Sequence, residues 1–273
     1  MRKLRTILGI DAAWTIGQPS GIALLAEKSR GWECVAVEPS YDAFNACCKG
    51  FSGPWPITLQ GSTPDPGRLL RTAIKLLAGQ PVTVVTVDMP MANVAIDSRR
   101  VADDQISSKF GANWCATHSP TRRRPGHVGR VIKRGFGERG YKLATVDTPP
   151  GVQLRLIEVF PHVALLELLK AQKRICYKVG KTVRYWPGTD LLARKKLLLA
   201  EFERILTALK NEIRGISLEI PTIDQVTSLA RLKRYEDCLD ALVCAWVGIK
   251  YLNGQAVAYG DDNAAIWTPK QGL

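Results

Sequence analysis

Short apolar runs alternate with turn residues along the first part of the chain. Strands are predicted at 4–10, 21–27 and 32–38, where β-branched and other apolar residues lie between glycine and proline. The links between these runs are short, so we expect antiparallel neighbours. The run at 82–88, VTVVTVD, is almost continuously β-branched, which is typical of a strand covered on both faces. A further strand is predicted at 153–160.

Helical patterns occupy most of the remaining chain. They predict helices at about 41–48, 66–78, 96–109, 190–212 and 227–252, with another that begins at Pro161. The segment AAIWTP near the end is expected to form a small edge strand. Antiparallel strands followed by strands separated by helices predict an α/β fold with a mixed sheet covered by helices.

The chain length suits one large domain with an insertion, or two small ones. We predict a single domain over 1–273, with a basic helical insertion at 91–150. The start of the chain resembles a signal peptide only briefly, because its apolar stretch ends at Asp11. No later stretch reaches the roughly 18 apolar residues of a membrane span. We therefore expect a soluble, cytoplasmic protein without membrane association.

Cysteine usage agrees with an intracellular setting. The seven cysteines are odd in number, and Cys238 and Cys244 fall in a helical pattern beside alanines, which favours a role as small apolar packing residues. No C-x-x-C spacing occurs, so a zinc site is not expected.

Positive charge is concentrated in two segments. The net charge is +13, and residues 121–142 hold eight basic residues and one acid, while residues 170–196 hold nine and one. The rest of the chain has 21 basic and 23 acidic residues and is near neutral. One such segment alone is most simply a solvated helical face. Two of them, the second with interleaved aromatic residues, favour contacts with nucleic acid, DNA or RNA.

Carboxylates recur where predicted strands end. Asp11, Asp88 and Glu158 stand at or near the ends of three strands, and Asp237 and Asp240 share a face of the last long helix. Each has a simpler explanation as a turn cap, an ion-pair partner of an arginine, or part of a solvated helix face. Together they predict one pocket at the carboxyl ends of the strands. Because buried carboxylates repel one another, such a pocket calls for Mg²⁺ or Mn²⁺, which prefer hard oxygen ligands.

Several motifs in order resemble a known family. They are GIDAAWTIGQPSGIALL, VDMP, RRVADDQISSKFG, THSP, IEVFPH, YKVGK, YEDCLDALVCAW and YGDDNAAIW, and they run from about Ile7 to Trp267. The chain is similar to the predicted RNase H-like nucleases that are catalogued as a domain family of unknown function. The resemblance implies an RNase H-like mixed sheet of five strands, three antiparallel and then parallel, as in junction resolvases and transposases.

The resemblance also implies a metal-dependent nuclease that uses two Mg²⁺ or Mn²⁺ ions. Asp11 matches the acid of the first strand and Asp88 that of the fourth, while Asp240, or Asp237 with it, matches the acids of the final helix. Glu158 is similar to the acid of the family's IE-hydrophobic-PH motif. In this interpretation Asp11 bridges the two ions, Asp88 and Glu158 complete the shell of one, and Asp240 or Asp237 that of the other.

Other residues are assigned supporting roles. Candidates for phosphate contacts are Arg122, Arg123, Arg124, Arg130, Lys178 and Lys181. His118 is a candidate proton shuttle, although a loop-capping role is the favoured interpretation. His162 is expected to be a packing or hydrogen-bonding residue, and Asp261 with Asp262 to form a turn before the last strand.

Two other functions fit parts of the sequence. A nucleic-acid-binding protein with an RNase H-like fold and no catalysis would keep the basic segments without needing the acids. An ATPase or phosphotransferase of the actin-like class would use GIDAAWTIGQPSG as a phosphate-binding hairpin, but the sequence has no later D-x-G-G loop.

Overall fold

The computed structural model describes residues 4–48, 55–56 and 58–272, and within them the strands form one mixed sheet. The strands are β1 (Thr6–Asp11), β2 (Gly21–Lys28), β3 (Gly31–Glu38), β4 (Val84–Val87), β5 (Lys142–Leu143), β6 (Arg155–Val159), β7 (Ala256–Gly260) and β8 (Ala265–Pro269). Their order is β3-β2-β1-β4-β6-β8-β7, and β5 pairs with β6 outside this path.

Helices lie in three of the connections between strands, β3–β4, β4–β5 and β6–β7. They are α1 (Tyr41–Cys47), α2 (Pro66–Leu76), α3 (Val101–Phe110), α4 (His127–Gly137), α5 (Pro161–Leu168), α6 (Thr182–Tyr185), α7 (Leu191–Glu212) and α8 (Leu229–Leu252). Side chains at the N-caps fix several helix starts. Ser40 accepts a hydrogen bond from the amide of Ala43, and Asp190 accepts one from that of Ala193.

The predicted strand directions are confirmed. β1, β2 and β3 pair as antiparallel neighbours, whereas β4 pairs parallel with both β1 and β6, and β8 pairs parallel with β6. The α/β class with a mixed sheet follows directly from these pairings.

The expected strand number of five is wrong, because the described residues contain eight strands. β5 has only two residues, which is too short for an alternating pattern. β7 forms a hairpin with β8, so AAIWTP lies inside the sheet and not at its edge. The turn between them contains Asp261, whose carboxylate accepts hydrogen bonds from the amides of Asn263 and Ala264 at 2.9 Å each, which confirms the predicted turn.

Helices cover both faces of the sheet. One apolar cluster joins alternate residues of β1 and β2 to α5, α7 and α8, and Cys238 and Cys244 pack inside it as predicted. A second cluster joins the opposite face to α1, α2 and α4. Helix α4 lies in a stretch of the sequence that glycine and proline residues interrupt, and no helix is predicted there. It forms because Val128, Ile132 and Phe136 recur every four residues on its buried face.

The segment 91–150 lies between β4 and β6 along the chain. Its helix α4 shares an apolar cluster with β1, β2 and β4, and its strand β5 pairs with β6. The segment therefore packs as part of the covering of the sheet. No helix among the described residues combines the length and apolar character needed to cross a bilayer.

Candidate acidic active site

Strand pairing places two of the predicted acids side by side. Ile10 of β1 and Val87 of β4 are partners in parallel register, and the amide of Asp88 donates a 2.9 Å hydrogen bond to the carbonyl of Ile10. Asp11 and Asp88 each follow one of these partners. Because side chains alternate along a strand, both carboxylates point toward the face that α8 covers.

Glycines let α8 approach this end of the sheet closely. Gly21 is the strand partner of Asp11, and a Cβ atom on Gly21 would lie 2.0 Å from the carbonyl oxygen of Asp237. A Cβ atom on Gly9 would lie 2.4 Å from the carbonyl oxygen of Ala241. A larger residue at either position would push the helix outward. The glycines therefore bring the acidic turn of α8 to the end of β1.

In addition to burial, the charge of Asp11 raises the pKa of Asp88, Asp237 and Asp240, which links the four acids into one group. Burial raises the pKa of Asp88 well above its usual value, and the charge of Asp11 raises it further. Burial also raises the pKa of Asp237, which Lys233 lowers and Asp11 raises. We call Asp11, Asp88, Asp237 and Asp240 the acidic cluster.

Asp240 is the most deeply buried member of the acidic cluster, with no exposed surface. Burial raises its pKa to about 6, against the opposing effect of Lys178, and the charge of Asp11 contributes to the increase. The hydroxyl of Tyr177 donates a 2.5 Å hydrogen bond to its Oδ1 atom. Asp240 is therefore held by partners that lie 62 and 63 residues away along the chain.

Two lysines supply positive charge to the acidic cluster. The ammonium group of Lys178 forms an ion pair with Asp240 and lies 3.4 Å from Glu236. Lys233 forms an ion pair with Asp237 and lies 3.0 Å from Glu236. Lys178 is thus engaged with carboxylates, in addition to being a predicted phosphate contact.

Glu158 points away from the acidic cluster, although, in addition to burial, its charge is one of those that raise the pKa of Asp88. It is the register partner of Val87, so its side chain points to the opposite face from that of Asp88. Arg100 donates hydrogen bonds to both of its oxygens at 2.6 and 2.7 Å, and the amide of Met91 donates another at 2.7 Å. Burial raises the pKa of Glu158, and the charge of Arg100 opposes that increase. Both carboxylate oxygens of Glu158 therefore accept hydrogen bonds from Arg100.

The acidic cluster offers carboxylate oxygens, which are the ligand type that Mg²⁺ prefers in proteins. All four members offer carboxylate oxygens, and the Oδ2 atom of Asp237 is buried without a hydrogen-bond partner, which is a costly arrangement in a protein interior. Among the described residues, no group of three or more histidine, cysteine or acidic side chains has the geometry to hold a metal ion. The ammonium groups of Lys178 and Lys233 instead supply the cationic charge.

We call the segment that contains Arg122, Arg123 and Arg124 the arginine-rich loop, and it lies close to the start of the β1–β2 connection. Its candidate phosphate contacts are exposed: Arg122, Arg123, Arg124 and, at the start of α4, Arg130. The guanidinium of Arg124 lies 5.6 Å from the ring centroid of Trp14, and Trp14 follows Asp11 by three residues. This contact places exposed positive charge beside the loop that leaves the acidic cluster.

His118 lies near the surface among cations. Partial burial lowers its pKa, and the charges of Lys181, Arg174 and Arg124 lower it further. The imidazole is therefore neutral at pH 7. His162, by contrast, is a buried residue of the first turn of α5. It contacts the side chain of Arg174, which confirms the predicted packing and hydrogen-bonding role.

Several residues of the site were not found from the sequence. The sequence could have indicated the contact between Lys233 and Asp237, because residues four apart lie on the same face of a helix. Arg100 had a local signal as well, since it pairs with Asp103 at the start of α3. Its bonds to Glu158 span 58 residues, and no spacing rule predicts them. The same holds for Tyr177 and its bond to Asp240.

Comparison with known proteins gives a family. The model of the family described as protein of unknown function (DUF429) matches residues 9–264. The chain belongs to the DUF429 family. The DUF429 match includes the acidic cluster, both lysines and the Arg100–Glu158 pair. No curated protein and no solved structure matches the chain.

Proposed function

We propose that the protein is an RNase H-like nuclease that hydrolyses phosphodiester bonds of nucleic acid with the help of Mg²⁺ or Mn²⁺. The observation that carries the proposal is the convergence of Asp11, Asp88, Asp237 and Asp240 from two strands and a helix, beside exposed arginines. Buried acids whose pKa is raised by a neighbouring carboxylate are typical of a functional site.

The strand order supports the RNase H-like part of the proposal. Three antiparallel strands are followed by the parallel strands β4 and β6 in the order β3-β2-β1-β4-β6, which is the arrangement that the sequence resemblance implies. The strands β8 and β7 extend this sheet on the side of β6. The acids stand on the first and fourth strands and on the last helix, again as the resemblance implies.

The members of the acidic cluster are the residues that would hold the divalent cations. Bound there, Mg²⁺ or Mn²⁺ would polarise the scissile phosphate and lower the pKa of a water nucleophile. Lys178 and Lys233 would release Asp240 and Asp237 on binding, since their ammonium groups now contact these carboxylates. The proposal leaves Glu158 out of the ligand set, because Arg100 and the amide of Met91 already use its oxygens.

The surrounding residues would bind and orient the substrate. Arg124 and its exposed neighbours would contact phosphates along the strand, which positions the substrate without reading its sequence. Tyr177 orients Asp240 through its hydroxyl. His118, neutral at pH 7, remains a candidate to accept a proton near the bound phosphate.

Cleavage of labelled substrates tests the proposal. Single-stranded, duplex and branched DNA and RNA are incubated with Mg²⁺ or Mn²⁺ and with wild type, Asp11→Asn or Asp104→Asn. Asp104 is a suitable control because its side chain is 66% exposed on α3. We expect Asp11→Asn to lose cleavage by more than about a hundredfold, with binding retained, and Asp104→Asn to cleave like wild type. If wild type and Asp11→Asn bind every substrate and leave all of them intact, the nuclease proposal is wrong.

A second candidate function is nucleic-acid binding without catalysis. The ion pairs of Lys178 and Lys233 favour it, because they neutralise acids that a nuclease would offer to cations. This candidate predicts binding that neither EDTA nor Asp11→Asn changes, and no cleavage by wild type.

A further inference from the structure

A group of cationic and polar side chains lies next to the acidic cluster. We call Arg174, Lys181, His118, His162 and Tyr185 the basic cluster. Its members come from separate elements: α5, α6, and the segments that precede α4 and α6. Arg174 contacts His162 directly, and its backbone amide donates a 2.8 Å hydrogen bond to the carbonyl of Asn113.

Three polar atoms of the basic cluster are buried, and none has a well-aligned hydrogen-bond partner among the described residues. They are Nδ1 of His162, Nε of Arg174 and the hydroxyl oxygen of Tyr185. His162 is only 7% exposed. A buried donor or acceptor without a hydrogen bond costs stability. Burial raises the pKa of Tyr185 and the side chain of Arg174 opposes that increase, so the Nε atom of Arg174 and the hydroxyl of Tyr185 lie close enough together to share one ligand oxygen.

The charge of the basic cluster is also unmatched. Within the described part of the chain, no ion pair with a carboxylate involves Arg174 or Lys181. Burial lowers the pKa of Lys181, and the charges of Arg174, Arg184 and Lys178 lower it further, against a small opposing effect of Glu236. Cations held together in this way are stabilised by an anion.

One side chain joins the basic cluster to the acidic cluster. The ring of Tyr177 packs against that of His162 with centroids 5.5 Å apart, and its hydroxyl donates to Asp240. The side chain of Tyr177 would therefore be the only residue between Asp240 and an anion that contacts His162.

We propose that the basic cluster binds a phosphoryl group, and that its ligand is the terminal phosphate of a nucleic-acid strand. The identity of the strand rests on the proposed function. A terminal phosphate monoester carries a charge of about −1.5 to −2 at pH 7, which matches the two unpaired cations Arg174 and Lys181. A phosphodiester within the strand carries a single charge. The planar guanidinium of Arg174 suits two oxygens of one phosphate.

The test measures binding in EDTA, so that it does not depend on cleavage. Three single strands of one sequence are compared: one with a 5′ phosphate, one with a 3′ phosphate and one with neither. Inorganic phosphate is tested alone by thermal shift against chloride at matched ionic strength. The proteins are wild type, Arg174→Gln, Lys181→Gln and the control Arg184→Gln, which removes the same charge from an exposed position on α6.

We expect wild type to bind one phosphorylated strand roughly tenfold more tightly than the unphosphorylated strand. Arg174→Gln and Lys181→Gln should reduce that preference to less than about twofold. Arg184→Gln should weaken the binding of all three strands by the same factor. Lys181 is only partly buried, so its variant keeps the test valid if Arg174→Gln does not fold.

The proposal fails if wild type binds all three strands equally and inorganic phosphate does not stabilise it. It also fails if the preference for a phosphorylated end is unchanged in both variants. If inorganic phosphate binds through Arg174 but strand ends are not distinguished, the phosphoryl site stands and a free phosphate compound is its ligand. A protein without nuclease activity that prefers a phosphorylated end would separate this site from the proposed catalysis.

Discussion

Two carboxylate sites lie near the same end of the sheet, and neighbouring cations and amides stabilise their charge to different extents. Glu158 meets a single arginine that donates to both of its oxygens, together with a backbone amide. The acidic cluster brings four carboxylates together, and single contacts from Lys178 and Lys233 neutralise it only in part. The first site is complete within the chain. The second keeps an unpartnered oxygen on Asp237 and mutual repulsion that a bound cation would relieve.

The difference follows from the face of the sheet to which each side chain points. Asp88 and Glu158 are both close to the ends of neighbouring parallel strands, but Glu158 is in register with Val87, one residue earlier. A shift of one residue moves a side chain to the other face of a sheet. One acid therefore joins the packing of α3 through Arg100, and the other faces α8.

The largest effect is expected at the Arg100–Glu158 pair. Arg100→Leu leaves two buried carboxylates, Glu158 and Asp103, without their cation, so we expect a loss of about 3–5 kcal/mol in the free energy of unfolding. Urea denaturation measures it. The control is Arg134→Gln, which removes an exposed pair with Glu138 and should cost less than about 0.5 kcal/mol. Equal effects of the two substitutions would contradict a structural role for Arg100.

A smaller loss is expected when a lysine is removed from the acidic cluster. Lys178→Met leaves the buried Asp240 without its ion-pair partner, and we expect about 2 kcal/mol of destabilisation in EDTA. Because Mg²⁺ can replace the missing charge, it should stabilise Lys178→Met more than it stabilises wild type. Urea denaturation with and without Mg²⁺ provides the comparison. An identical Mg²⁺ effect on both proteins would mean that Lys178 and the cation do not share a site.

Removal of a repelling acid should have the opposite sign. We expect Asp88→Asn to stabilise the protein by about 1 kcal/mol at pH 7.5, because burial and Asp11 raise the folded-state pKa of Asp88 above that of the unfolded chain. Ionisation of Asp88 then disfavours the folded state, so wild type loses stability relative to the variant as the pH rises above about 4. Thermal unfolding from pH 4 to 8 measures the trend. A variant that is less stable than wild type at pH 7.5 would contradict the repulsion.

The smallest effect is expected at the arginine-rich loop. Arg124→Ala removes a contact with the ring of Trp14, which is worth about 0.5–1 kcal/mol at an exposed position. It should lower the melting temperature by no more than a few degrees and reduce the slope of log affinity against log salt by about one. Measurements of nucleic-acid binding between 50 and about 200 mM salt supply that slope. An unchanged slope would remove Arg124 from the phosphate contacts.

The sequence predicted most of the sheet because its strands carry strong local signals. The β-branched run that forms β4 and the apolar run that forms β1 are found where they were expected. Two-residue β5 carries no such signal. The segment that forms β7 places Val257 and Tyr259 between small residues, which is a weak strand signal, and it pairs with β8 as a hairpin.

The sequence predicted the acids of the candidate site, but it did not predict which residues they contact. Spacing on α8 indicated that Asp237 and Asp240 share a face, and the strand ends indicated Asp11 and Asp88. The prediction wrongly grouped Glu158 with them, because its side-chain direction depends on the register between β4 and β6, which the sequence does not encode locally. The partners of Asp240 are Tyr177 and Lys178, more than 60 residues away, and only the fold brings them to it.

Direct titration with Mn²⁺ tests the central claim that the acidic cluster is a divalent-cation site. Electron paramagnetic resonance counts free and bound Mn²⁺ in wild type, Asp88→Asn, Asp240→Asn and the exposed control Asp104→Asn. The claim predicts that wild type and the control bind Mn²⁺ and that both cluster variants bind it at least tenfold more weakly. Wild type that leaves all Mn²⁺ free, or binding that survives in both cluster variants, would contradict it.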